Sequence, residues 1–137
     1  MGDSELTHYE VRASRISPKR TDVDTGDAEF VVGKDVNPVE YFLGSVLACL
    51  NSTATMVARD MDVTIESLEA DVEGDVNYAT YRGETVEDRA GLQGLEVTIS
   101  IETAEDADLD ALLAAVKERC PVTDNVENET KLTLTLE

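Results

Sequence analysis

Alternation and helical spacing of apolar positions divide the chain into an α+β order. Tyr9, Val11 and Ala13 alternate with polar neighbours up to "SPKR", a turn, so a hairpin is expected to open the chain. "AEFVVG" predicts a third short strand. Apolar residues then recur at helical intervals from Asn37 to Arg59. "IESLEADVEGDVNY" places Leu68, Ala70, Val72 and Val76 on one parity and predicts a strand, followed by the polar, glycine-containing loop "YATYRGETVEDRAGLQG". Leu95, Val97, Ile99 and Ile101 predict another strand, residues 105–119 a second helix, and "KLTLTLE" a closing strand with Leu132, Leu134 and Leu136 on one face. No repeat or linker interrupts this order, so a single domain over residues 1–137 is expected.

The first helix carries the most information. Asn37 suits the N-cap, Pro38 the first helical position, and Glu40 falls three after the cap, as in a capping box. Val39, Phe42, Leu43, Val46, Leu47, Leu50, Ala54 and Val57 form one apolar stripe. The opposite side carries Gly44, Ser45, Ala48, Ser52 and Thr55, small residues that allow another helix to approach closely. Such a helix is wanted on both sides, and its partner can be the same helix of a second subunit.

Charge narrows the partners. Thirty Asp and Glu against 11 Lys and Arg give −19, with the acids spread along the whole chain. A solvated acidic surface repels nucleic acid and anionic membrane. It suits concentrated salt, where the Debye length shrinks to roughly 3 Å at 1 M, so a high-salt cytoplasm is expected. "MGDSELTHYE" has neither the basic nor the apolar region of a signal peptide, and the apolar run from Tyr41 to Leu50 is about half a membrane span. A cytoplasmic protein is expected, and Asn51-Ser52-Thr53 and Asn128-Glu129-Thr130 then match the glycosylation pattern by chance.

Two cysteines, Cys49 and Cys120, stand 71 positions apart. They are too few for a disulfide scaffold and too distant for a CxxC motif, and with one histidine they make no metal site. Cys49 projects at the edge of the apolar stripe. Cys120 follows the line of Leu109, Leu112, Leu113 and Val116, with Pro121 ending the second helix. Both point inward, and two readings stand side by side: small buried hydrophobes, or a pair that does chemistry.

"NPVEYFLGSVLACLNSTATMVA", then "RAGLQGLEVTISIE", then "CPVTDNVENETKLTLTLE" together resemble the OsmC family, which includes osmotically induced and organic hydroperoxide resistance proteins. The resemblance implies an OsmC-like α+β fold, with antiparallel sheets wrapped around a central helix pair in an intertwined homodimer. It also implies a thiol-dependent peroxidase with no cofactor, in which Cys49 attacks an organic hydroperoxide, Cys120 resolves it, and a dithiol reductant reopens the pair. In the family an arginine from the N-terminal hairpin lowers the thiol pKa and is held by a glutamate near the start of the central helix. Arg20 is the match here, with Arg15 in reserve, and Glu40 is the candidate glutamate. The Gly-Gly-Arg signature of the hydroperoxide-resistance branch is missing, and Val39 occupies that branch's glutamate position. Glu40 also lies nine residues before Cys49, about 13–14 Å along the axis, so it can act only through an arginine or from a partner subunit. The chain therefore resembles the general OsmC-like branch, with a halophilic archaeon as the expected source. The alternatives are a non-enzymatic dimer of this fold that binds small hydrophobic ligands, and a sulfur carrier with Cys49 as acceptor.

Overall fold

A computed structural model describes residues 5–137 as mixed α and β, with two antiparallel sheets. The chain divides into two compact units, one ending at Phe42 and one covering Leu43–Glu137.

The first unit is a three-stranded sheet in the order β1 (Arg12–Ser17), β2 (Arg20–Asp24), β3 (Glu29–Val32). Pro18 and Lys19 make the β1–β2 turn, as expected. Gly33 closes against that turn at φ +96, and a Cβ there would meet the Lys19 carbonyl oxygen, so only glycine fits. Phe30 stacks on Tyr41 with ring centroids 5.7 Å apart.

Helix α1 runs Pro38–Asp60. Its capping box is complete: Asn37 Oδ1 accepts from the Glu40 N–H at 2.9 Å, and Glu40 Oε1 accepts from the Asn37 N–H at 3.0 Å. The helix ends where Asp62 turns to φ 57 and the Val63 N–H donates to the Ala58 carbonyl at 2.8 Å. By length and composition α1 could cross a membrane. Its Val46, Leu50, Ala54, Val57 and Ala58 are instead buried in the core of the second unit. The small side behaves differently: Gly44, Ser45, Ala48, Ser52 and Thr55 are exposed in the single chain.

Strands β4 (Ile65–Glu73) and β5 (Glu96–Thr103) form the second sheet. Leu68 faces Ile101, Ala70 faces Ile99 and Val72 faces Val97, so the expected parities meet on one face. The other face pairs Asp71 with Thr98 and Glu73 with Glu96, the last a like-charge pair. Val76 makes only an isolated bridge to Leu92, so the strand predicted to reach it stops at Glu73. The intervening loop is ordered by side chains: Asn77 donates to Asp88 at 2.9 Å and Gln93 to the Gly91 carbonyl at 2.8 Å.

The second helix is shorter than its pattern predicts. Helix α2 is Leu109–Arg119, capped by Asp108, whose carboxylate accepts from the Ala111 N–H at 3.0 Å. Glu105 is outside it because its carboxylate accepts from the Thr64 N–H at 2.8 Å, tying the end of β5 to the start of β4. Cys120 leaves the helix at ψ 116, as a residue before proline must. Pro121 then starts helix α3, Pro121–Glu127, which the sequence pattern did not predict.

The predicted closing strand is not formed. Leu132, Leu134 and Leu136 are 80%, 87% and 98% exposed, and residues 129–137 pair with no edge. Their alternation is that of a strand, but a strand exists only where a neighbour takes its N–H and C=O groups. Tyr9 and Val11 likewise precede β1 and stay exposed.

Candidate active site

The second unit brings both cysteines together. Cys49 lies in the middle of α1, and Cys120 is the hinge residue between α2 and α3. Both are free thiols, close enough that each acts on the other's titration. Their surroundings differ. Cys120 is 0% exposed and packs with Leu112 and Val116, while Cys49 is half-buried beside the same core. That asymmetry suits a sulfur that meets a substrate and a second sulfur that waits behind it.

Two threonines complete the cluster. Thr53 Oγ1 stands 3.9 Å from Cys49 Sγ and lies near enough to the Cys120 thiol to favour its thiolate. Thr123, in the first turn of α3, sets both its hydroxyl and its backbone against the Cys120 sulfur. The Thr123 hydroxyl is buried and has no hydrogen-bond partner, and it lies near enough to the Cys120 thiol to favour its thiolate. These threonines escaped the sequence reading. The available signal was Thr53 itself, a hydroxyl four residues after Cys49 and so on the same helical face.

The thiols are pushed in opposite directions. Burial raises the Cys49 pKa, only partly opposed by the Val122 backbone and Thr53. Burial also works on Cys120, but the bonds from Thr123, then Cys49 and Thr53, outweigh it and bring its pKa below the ordinary thiol value. No cation is among the groups that set Cys49 in the single chain.

The other candidates lie in the first unit or at its end. Arg20 opens β2 opposite Ser17, and Arg15 on β1 faces Thr21. Among the described residues the ion pairs are Arg82–Glu84, Lys117–Glu127 and Arg119–Asp60, so neither Arg15 nor Arg20 is joined to Glu40. Glu40 serves the capping box. Among the described residues no group of three His, Cys, Asp or Glu could hold a metal ion.

A cleft of about 690 Å³ opens in the second unit, lined by Val46, Leu50, Val97, Ile99, Leu113 and Thr123. Neither cysteine lines it, and Thr123 is what connects it to the thiol cluster.

The chain is thus an α+β fold in which a long helix and a helix–proline–helix hinge each bring one free thiol to a shared core. The chain belongs to the OsmC-like protein family, whose model matches residues 31–135. Solved structures agree on the fold. An OsmC-like protein from Mycoplasma pneumoniae superposes with a TM-score of 0.78 at 17% identity, covering 90% of this chain and 89% of its own. An organic hydroperoxide resistance protein OsmC from Legionella pneumophila gives 0.67 at 20% identity, covering 90% and 91%. The organic hydroperoxide resistance protein OhrB of Bacillus subtilis gives 0.59 at 18%, covering 91% and 94%. No curated protein matches the chain in sequence.

Proposed function

We propose that this protein is a thiol-dependent peroxidase that reduces organic hydroperoxides, working as a single-domain homodimer in a salt-rich archaeal cytoplasm. The observation that carries the reading is the thiol pair: one half-buried sulfur, Cys49, packed against the core cluster that holds one fully buried sulfur, Cys120, each acting on the other's titration. The names of the Legionella and Bacillus structures support the substrate class.

Chemically, the Cys49 thiolate attacks one oxygen of ROOH, the O–O bond breaks, and the alcohol leaves with a proton. Cys49 is then a sulfenic acid. Cys120 attacks its sulfur, the S–O bond breaks, and the proton from Cys120 leaves with the hydroxide as water. An external dithiol reduces the disulfide and restores both thiols, so no cofactor is required.

The first step needs a thiolate, yet burial raises Cys49. A cation must therefore be brought to it. Arg20 is the candidate and Arg15 the second, supplied by this chain or by the partner. Glu40 would hold that arginine in addition to capping α1. The dimer reading is supported by what a single chain leaves uncovered: the small side of α1, and Leu132, Leu134 and Leu136 at the C-terminus. The acidic surface favours neither nucleic acid nor membrane as partner.

The test is consumption of cumene hydroperoxide with a dithiol reductant. The parent should turn over and Cys49→Ser should not; equal rates, or an inert parent, would overturn the reading. A second reading, non-enzymatic binding of a small apolar ligand, is favoured by the 690 Å³ cleft. It gains ground if an inert parent binds an apolar fluorescent probe that Leu113→Trp displaces.

A further inference from the structure

A buried threonine in an otherwise apolar stripe needs a reason. Thr53 is 7% exposed and is the buried polar residue among the described ones; Leu50, Ala54 and Val57 around it are apolar. Valine would fill the same volume without the cost of desolvating a hydroxyl. Helix threonines and serines usually discharge that cost on a carbonyl one turn back. On α1, Ser52 does so, donating to the Cys49 carbonyl at 3.2 Å, and Thr55 donates to the Asn51 carbonyl at 3.1 Å. Thr53 instead turns to sulfur: Cys49 Sγ stands at 3.9 Å, and the Cys120 thiol lies near enough to feel the hydroxyl.

We propose that the Thr53 hydroxyl is a shared hydrogen-bond donor that serves the two sulfurs in turn, and so orders the two halves of the thiol cycle. This rests on the two-thiol reading above. A hydroxyl has one proton to donate. While Cys49 is a thiolate, that proton goes to Cys49 and holds its sulfur in place. When Cys49 has become a sulfenic acid it carries no charge, and the proton turns to the Cys120 thiolate. Held there, Cys120 is aimed at the Cys49 sulfur. Its lone pair forms the S–S bond, the S–O bond breaks, and the hydroxide takes the proton that Cys120 gave up. Thr123 lies beside the same sulfur on the α3 side, its buried hydroxyl without a hydrogen-bond partner.

The test compares Thr53→Val, which keeps the shape and removes the donor, with Thr53→Ser, which keeps the donor. Disulfide closure is driven two ways. Cumene hydroperoxide tests the full cycle. Diamide adds to one thiol and leaves as the hydrazine when the second attacks, so it tests the second step without any peroxide chemistry. In both arms Thr53→Val should close about tenfold more slowly, and with peroxide it should accumulate a sulfenic acid that a dimedone-type probe traps. Thr53→Ser should close within about threefold of the parent. Thermal midpoints of both variants confirm that they fold. Closure of Thr53→Val at the parental rate in the diamide arm overturns the proposal. So does equal slowing in Thr53→Ser and Thr53→Val, which would point to packing rather than to the hydroxyl. If peroxide leaves the parent unchanged while diamide closes it and Thr53→Val slows that closure, the peroxidase reading fails and the role of Thr53 stands.

Discussion

Oxidation should make this protein measurably more stable, and by an amount that follows from the chain itself. Cys49 and Cys120 are 71 positions apart, so a bond between them closes a long loop. In the chain-entropy account, tying a loop of that length removes about 4 kcal/mol of freedom from the unfolded state. The native state should give little back, because the two thiols share one packed cluster and Cys120 stands at a hinge where α2 has ended and α3 has not begun. For a chain of this size the gain corresponds to a rise in Tm of about 10 °C or more. The assay is calorimetry of the reduced protein before and after one equivalent of cumene hydroperoxide, with intact mass as the check on chemistry. The parent should lose two hydrogens and melt at the higher temperature. Cys120→Ser should instead stop at a trappable Cys49 sulfenic acid and melt where it did before, and Cys49→Ser should be unaffected. If the parent loses two hydrogens and its Tm stays put or falls, the native geometry is strained by the bond and the idea of a poised pair is wrong. If no hydrogens are lost, the cysteines are core residues.

Four further outcomes follow from the same geometry. The Tm should climb by several degrees between about 0.1 M and 2 M KCl, as screening relieves a charge of −19 and pairs such as Glu73 opposite Glu96; a flat profile would remove the halophilic reading. Deleting residues 131–137 removes three leucines worth about 2 kcal/mol each when buried, so it should shift a dimer toward monomer in sedimentation, as should Ala48→Glu; an unchanged dimer in both would refute the assembly. Glu40→Gln keeps an acceptor for the Asn37 N–H and should hold stability within about 0.5 kcal/mol, so any loss of turnover in it measures the carboxylate's charge, and turnover equal to the parent's makes Glu40 a cap only. Stability of Cys120→Ser should depend on pH through the thiol that remains. In Cys120→Ser the raised Cys49 adds stability that is present below the unfolded pKa and lost as pH rises through the folded value. Urea midpoints from about pH 7 to 10 would show it.

Much of this architecture was legible because local physics and tertiary structure agree in it. Asn37, Pro38 and Glu40 state the start of α1 three times over, and the hydrogen bonds follow the pattern. Parity in β4 and β5 gave the apolar face residue by residue. The misreadings have particular causes. Glu105 looks like a first-turn helix residue but is worth more as a clamp on the Thr64 N–H, a contact 41 positions away that no window of sequence contains. Proline after Cys120 correctly ends one helix, and the same fixed φ makes it a good first residue for the next, so α3 was hidden behind a stop signal.

The missing closing strand and the threonines beside the thiol pair escaped the sequence for a common reason. Each is defined by a partner rather than by its own residues. "KLTLTLE" has the period of a strand, and in one chain its leucines face outward with nothing to pair against. Thr53 was counted with neither the stripe nor the small side of α1, because what sets its role is the pair of sulfurs beside it and not its place on the helix. Cys49 repeats the lesson at the level of function. Its thiol is raised by burial, the wrong direction for a nucleophile, and every group that sets it comes from the second unit. On the peroxidase reading proposed above, a charge from outside those groups has to complete the site. Arg20→Ala separates the two halves: it should slow the attack on peroxide while leaving diamide closure of Cys49 and Cys120 at the parental rate. Equal slowing of both would mean that the arginine supports the fold and not the thiolate.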